Sequence, residues 1–280
     1  MKSLANEFFL TMENGARAHQ KQSGNTYELI ANGIKDEIDT AGQIKIVEQM
    51  IVSKVDAIVI APADSSALVA VMKRALDAGI VVVNIDNKFD DAVLKAKGIT
   101  IPFVGPDNRK GAQQVGDYLA TKLKSGDKVA IIEGVSTSFN GRQRTAGFQD
   151  AMKKAGVKVV SVQAGEWEID KANKIAAAML SEHPDLKALL NGNDNMAIGT
   201  VAALKSAGKT GKVMVVGFDN ISAVGPMLKD GRMVATADQH ADKLAVFGIE
   251  TALKAIQAKT PPATLGGVIE TPVDLVTGSK

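Results

Sequence analysis

The chain has no cysteine, one tryptophan and two tyrosines in 280 residues. It also has no apolar run near the roughly 18 residues that cross a bilayer. Without cysteine there is no disulfide, no thiolate nucleophile and no cysteine-ligated metal. The compartment stays open, because cysteine-free proteins occur in reducing and oxidising spaces alike. A net charge of +2 with both signs interspersed argues against a nucleic-acid partner or a polybasic membrane surface.

Motifs that announce an enzyme are also missing. There is no H-E-x-x-H, no G-x-S-x-G and no G-x-G-x-x-G behind a strand. Gly208-Lys209-Thr210 has the end of a phosphate loop, but Ala203 stands where its first glycine belongs, so it reads as a helix end and turn. The three histidines, His19, His183 and His240, are too scattered for a metal site and read as surface residues. Tyr118 and Lys122 have the four-residue spacing that short-chain dehydrogenases use, yet the glycine-rich cofactor loop such an enzyme needs is absent. The pair reads as structural, and no catalytic residue, metal or cofactor is expected.

What is present is an alternation of Val/Ile-rich strands and helices, with 45% hydrophobic but only 4% aromatic residues. That balance suits parallel sheets covered by helices. Two stretches share one design. Val213 to Asn220 is an apolar run closing on Gly-Phe-Asp219-Asn, and Val81 to Asn87 closes on Asp86-Asn. In an open α/β sheet, ligands bind at the carboxyl ends of strands, so each aspartate is a site candidate, although aspartate is common wherever strands turn into loops. Helices are expected at 7–20, 40–52, 65–78, 109–122, 142–154, 169–181, 196–207, 222–229 and 241–258. Strands are expected at 27–31, 57–61, 81–85, from 103, and at 129–133, 157–163, 188–190, 213–218 and 234–237, with a charged loop at 88–98. The length allows two domains. The chain opens on a helix where a doubly wound domain opens on a strand, so a leader and a first strand are expected to lie outside this sequence.

Polar and aromatic residues gather at strand ends: Asn6, Phe8, Phe9, Asp86, Asp107, Asn108, Arg142, Trp167, Asn193, Asp219 and Gln239. Carboxylates and amides accept from hydroxyls, a guanidinium donates in a fork, and aromatic rings cover the C–H faces of a sugar. The set suits binding of a neutral polyhydroxylated ligand without turnover.

Ordered motifs strengthen that reading: Asn6-Glu7-Phe8-Phe9, Ala61-Pro62-Ala63-Asp64-Ser65, Asn84-Ile85-Asp86-Asn87, Gly105-Pro106-Asp107-Asn108 and Arg142-Gln143-Arg144-Thr145-Ala146-Gly147-Phe148. Asn193-Asp194-Asn195-Met196-Ala197-Ile198-Gly199, Val216-Gly217-Phe218-Asp219 and Ala235-Thr236-Ala237-Asp238-Gln239 follow. In this order the chain resembles, over its whole length, the ribose-binding branch of the type I periplasmic sugar-binding proteins, receptors of ABC importers. The resemblance implies two Rossmann-like doubly wound lobes, 1–104 with 239–270 and 105–238 with 271–280, joined by three crossings near 104–107, 238–239 and 271–274. It implies hinge closure over one monosaccharide or sugar alcohol. Asn6, Asp86, Arg142, Asn193, Asp219 and Gln239 would bind hydroxyls, and Phe8, Phe9 and Trp167 would cover the ring. A membrane permease is the implied partner, a chemoreceptor a further one; the implied location is the periplasm and the implied state a monomer. Three positions depart from ribose binders: Asn87 stands for an arginine, Ala61 for an asparagine and Trp167 for a phenylalanine. Lost donors change which hydroxyls are read, so a different pentose, a hexose or a linear sugar alcohol stands beside ribose as ligand.

Two rivals remain at this stage. The effector core of a LacI-type regulator shares the architecture but needs a helix-turn-helix headpiece, and none is present. A sugar reductase would rest on Tyr118 and Lys122 alone.

Overall fold

The computed structural model describes residues 1–278. The chain divides into two compact units, Met1–Pro106 with Thr137–Phe139 and His240–Pro272, and Asp107–Ser136 with Asn140–Gln239 and the segment from Val273. Residues 279 and 280, the end of the expected second lobe, lie outside the described residues.

In chain order the elements are α1 (Glu7–Gln22), α2 (Thr40–Val52), β1 (Ala57–Ile60), α3 (Val69–Asp77), β2 (Val81–Ile85), α4 (Asp91–Ala96), β3 (Phe103–Pro106), α5 (Asn108–Ala120), β4 (Lys128–Glu133) and α6 (Phe139–Lys154). They continue with β5 (Lys158–Ala164), α7 (Ile169–Glu182), β6 (Ala188–Asn191), α8 (Asp194–Ser206), β7 (Met214–Val216), α9 (Gly225–Lys229), β8 (Ala235–Asp238), α10 (Ala241–Gln257), β9 (Val268–Thr271) and β10 (Asp274–Thr277).

The first unit holds a parallel sheet ordered β1-β2-β3-β9. The inner strand β2 is rich in β-branched residues because both its faces are covered: it is buried at every position. Val47, Ile58, Leu68, Met72, Val82 and Phe89 form much of its core. Helix α1 buries Phe8, Phe9, Met12 and Ala16 and packs on α10. The approach is close: a Cβ on Gly15 would sit 1.9 Å from the Asp242 carbonyl oxygen, so a larger residue there would push the helices apart.

The second unit holds a six-stranded sheet ordered β10-β8-β7-β6-β4-β5, parallel except for the antiparallel edge strand β10. Val115, Leu119, Ile131, Phe148, Met152, Leu190 and Phe218 are among its core residues.

The structure departs from the sequence reading in three places. Residues 27–31 form no strand; Ile30 is exposed, and the nearby pairing is a single parallel bridge between Ser3 and Ile34. The apolar residues of this stretch suit a strand, but a strand also needs a partner in register. The expected loop 88–98 contains α4, started by Asp90, whose carboxylate accepts from the amides of Ala92 and Val93. The end of the chain adds β9 and β10, which were not foreseen; their outer residues are largely exposed, so little hydrophobic pattern marks them.

Candidate functional site

The two Asp-Asn turns are built alike. Asp86 follows β2 and Asp219 follows β7; both are buried, and both have positive φ, 61° and 118°. Each extends its strand's pairing to the next strand: the Asp86 amide donates to Val104 O at 3.3 Å and the Asp219 amide to Ala237 O at 2.7 Å. Aspartate tolerates the left-handed region better than most residues, and strained backbone of this kind concentrates at functional sites.

In the second unit, Arg144 joins most of the polar set. Its Nε donates to Asn108 Oδ1 at 2.8 Å and its Nη1 to Gly192 O at 3.0 Å and Asp219 Oδ1 at 3.4 Å. The guanidinium lies 3.8 Å from the Phe218 ring centroid and 5.5 Å from that of Trp167. Gln239 Nε2 donates to Asp219 Oδ1 at 2.7 Å. The Arg144–Asp219 ion pair is nearly inaccessible to water, at 3% and 5% side-chain exposure. Gln239 Oε1 is buried with no hydrogen-bond partner among the described residues, an acceptor of the kind that a hydroxyl would satisfy. Asn193, next to Gly192, is buried and caps α8 by accepting from Met196 N.

Asp194 lies beside this cluster and is wholly buried. Burial, and then the charge of Asp219, push its pKa well above the ordinary 3.8, against the hydrogen bonds it accepts from Thr236 and from the amides of Ile221 and Asn220.

In the first unit, Asn6 caps α1 by accepting from Phe8 N and donates from Nδ2 to Glu37 Oε1 at 3.1 Å. Glu37 also pairs with Lys2 at 3.3 Å, with both side chains at 3% exposure or less. The Lys2 ammonium lies 5.1 Å from the Phe9 ring centroid, and Phe8 meets Phe9 edge to face at 5.1 Å. Asn87 turns its amide inward, donating to Pro62 O at 2.9 Å and accepting from Ser65 Oγ at 3.4 Å. Asn84 pins the same turn, donating to Asn87 O at 2.8 Å and accepting from Phe89 N.

Two expected site residues stand outside this buried network. Arg142 is exposed on α6 and donates to Ser136 O, while Arg144 takes the buried place. Asp107 is exposed and caps α5 by accepting from Lys110 N, whereas its neighbour Asn108 points inward. Lys2, Glu37 and Arg144 were absent from the sequence inventory. Tyr118 and Lys122 do meet, with the ammonium over the ring face, 4.8 Å from its centroid.

A family profile described as periplasmic binding protein domain matches residues 1–260. The chain belongs to the periplasmic binding protein domain family. Among family members, it is 68% identical over 277 residues to a D-ribose/D-allose-binding protein of Pseudomonas aeruginosa, covering 99% of this chain and 87% of that one. It is 36% identical to the D-allose-binding periplasmic protein of Escherichia coli, covering 89% and 81%. The crystal structure of an ABC transporter solute binding protein from Burkholderia multivorans, holding an unknown ligand, superimposes with a TM-score of 0.97 at 71% identity over 99% of this chain and 97% of that one. An ABC transporter periplasmic solute binding protein from Actinobacillus succinogenes with bound D-allose gives 0.90 at 34% identity, covering 99% and 95%. The type I periplasmic binding protein fold foreseen from the motifs is the fold of this chain.

Proposed function

We propose that this chain is the sugar-binding receptor of an ABC importer, and that its ligand is an aldose with the ring hydroxyls that D-ribose and D-allose share. In their pyranose forms these sugars have the same configuration at C2, C3 and C4 and differ by the hydroxymethyl group at C5. The observation that carries the reading is the buried Arg144–Asp219–Gln239 cluster. It offers a carboxylate, an amide and a forked cation beside the Trp167 ring. Such groups suit hydroxyls on one side and an apolar sugar face on the other. The relatives support it: one is named for D-ribose and D-allose, another for D-allose, and a solved relative holds D-allose. None of these named relatives is a transcription regulator.

The remaining parts of the reading are proposed with it. The receptor acts as a monomer in the periplasm, hands its sugar to a membrane permease and leaves it chemically unchanged. Asn6, Phe8, Phe9, Asp86 and Asn87 are the candidate sugar-binding residues of the first unit, and Asn108, Arg144, Trp167, Asn193, Asp219 and Gln239 those of the second.

Isothermal titration of the purified protein with D-ribose, D-allose, D-arabinose, D-glucose and ribitol tests this. D-ribose, D-allose or both are expected to bind, with D-arabinose and D-glucose, epimers at C2 and C3, weaker by about tenfold or more. Buried groups left without a hydroxyl partner would account for the loss. A folded protein that takes up neither D-ribose nor D-allose would overturn the proposal.

A further inference from the structure

We propose that Asp194 is a positioning residue for the sugar site: it holds the turn 217–221 from below and so sets the direction of the Asp219 carboxylate. The inference rests on the sugar-binding reading above.

Three elements converge on Asp194. It is the first residue of α8, and its own amide donates to Phe218 O at 2.8 Å. Its side chain accepts from Thr236 Oγ1 on β8 at 2.7 Å and from Ile221 N at 3.1 Å. Residue 194 therefore grips the turn on both sides of Asp219, through the carbonyl before it and an amide after it. The Thr236 hydroxyl extends the grip by accepting from Asn220 N at 3.4 Å.

The turn needs holding. Asp219 and Asn220 have consecutive positive φ values, 118° and 53°, without a glycine at either position. Gly217 allows the carboxylate to lie against the backbone, since a Cβ there would be 2.1 Å from Asp194 Oδ1. The Asp219 side chain emerges from this strained turn to meet Arg144 and Gln239. A fully buried carboxylate is costly unless its acceptors are used, and here its hydrogen bonds go to a turn and a neighbouring strand, both of which position Asp219.

The test combines affinity, a double-mutant cycle and hydrogen exchange. Asp194→Ala should weaken binding of D-allose or D-ribose by about tenfold or more, as expected for coupled neighbours. In an Asp219→Asn background the same change should have almost no further effect, because the residue it positions has already been altered. Asp194→Asn keeps one acceptor for Ile221 and should recover part of the loss. In the sugar-free protein, Asp194→Ala should speed exchange at the amides of Asn220 and Ile221 while the β4 and β6 amides stay protected. Full affinity in Asp194→Ala, or losses that simply add to those of Asp219→Asn, would overturn the proposal. If the wild-type protein takes no sugar, the functional reading falls and the exchange experiment decides alone: unchanged protection at 220 and 221 would then overturn the positioning role. Should Asp194→Ala fail to fold, Thr236→Val breaks the same grip and is measured in its place.

Discussion

Trp167 presses its indole onto Gly134: a Cβ at that glycine would lie 2.0 Å from Cη2 and Cζ2 of the ring. Gly192 borders the same ring, with a Cβ there placed 3.2 Å from Cζ3. The two glycines end the neighbouring strands β4 and β6, so bare backbone forms the seat on which the indole rests. Trp167 itself has φ 70° and is buried, so it is held by both its backbone and its contacts.

Gly134→Ala should therefore displace the ring. Overpacking of this kind costs about 1–3 kcal/mol, and the aromatic surface offered to a sugar would shift. Trp167 is the sole tryptophan, so its emission reports the change without interference. A red-shifted emission and weaker sugar binding are expected; unchanged emission would show that the neighbours yield without moving the ring.

The two arginines of α6 should separate cleanly. Removing one partner of a buried ion pair costs about 3–5 kcal/mol, and Arg144 also stacks on Phe218. Arg144→Ala should abolish measurable sugar binding and lower the melting temperature. Arg144→Lys should recover little, because a lysine cannot reproduce the fork that reaches Asn108, Gly192 and Asp219 together. Arg142→Ala, at an exposed position, should stay within about 0.5 kcal/mol of wild type in both measurements. Equal effects of the two alanine variants would contradict the placement described above.

That contrast marks where sequence reading reached its limit. Most strands and helices of both units were legible because buried parallel strands read as continuous apolar runs, and the Asp86 and Asp219 turns were legible because they repeat. Arg142 and Arg144 are the same residue type two places apart, so only helix phase distinguishes them. The signal was available: Arg144 precedes Phe148 by one helical step of four and Met152 by two, and all three are buried. Of the neighbours Asp107 and Asn108, both expected in the site, a single residue in where α5 starts decides which side chain turns inward. Lys2 and Glu37 meet across 35 positions without any local pattern, and only the folded first unit brings them together.

The Lys2–Glu37 pair carries a prediction for the first unit. Glu37→Ala takes the carboxylate from beside a buried ammonium and removes the acceptor of the Asn6 amide. A loss of about 3–5 kcal/mol in urea unfolding is expected. Replacing both residues with methionine should restore much of that stability, since well-packed apolar pairs often match a buried ion pair. Sugar affinity should not return with it, because Asn6 would still lack the partner that orients it. A double variant with full affinity would show that this orientation is unimportant for binding.

Asp194 predicts the pH dependence of stability. Its folded pKa lies above the ordinary 3.8 because burial and the charge of Asp219 disfavour the carboxylate. For an acid shifted upward, the folded state binds the proton more tightly than the unfolded chain. The stabilisation is therefore complete below about pH 4 and is lost as pH rises through the folded pKa. Asp194→Asn removes this titration while keeping the shape of the side chain. Urea unfolding of both proteins between pH 4.5 and 8 should show the wild type losing stability relative to the variant as pH rises. The charged groups of this network are Asp219, which Arg144 pairs, and Asp238, which accepts from the Asn220 side-chain Nδ2. Adding Asp219→Asn to both proteins should shrink the difference, because the repulsion that helps raise the Asp194 pKa is then gone. Parallel profiles for wild type and Asp194→Asn would mean that the carboxylate does not change its protonation between the folded and unfolded states in this range.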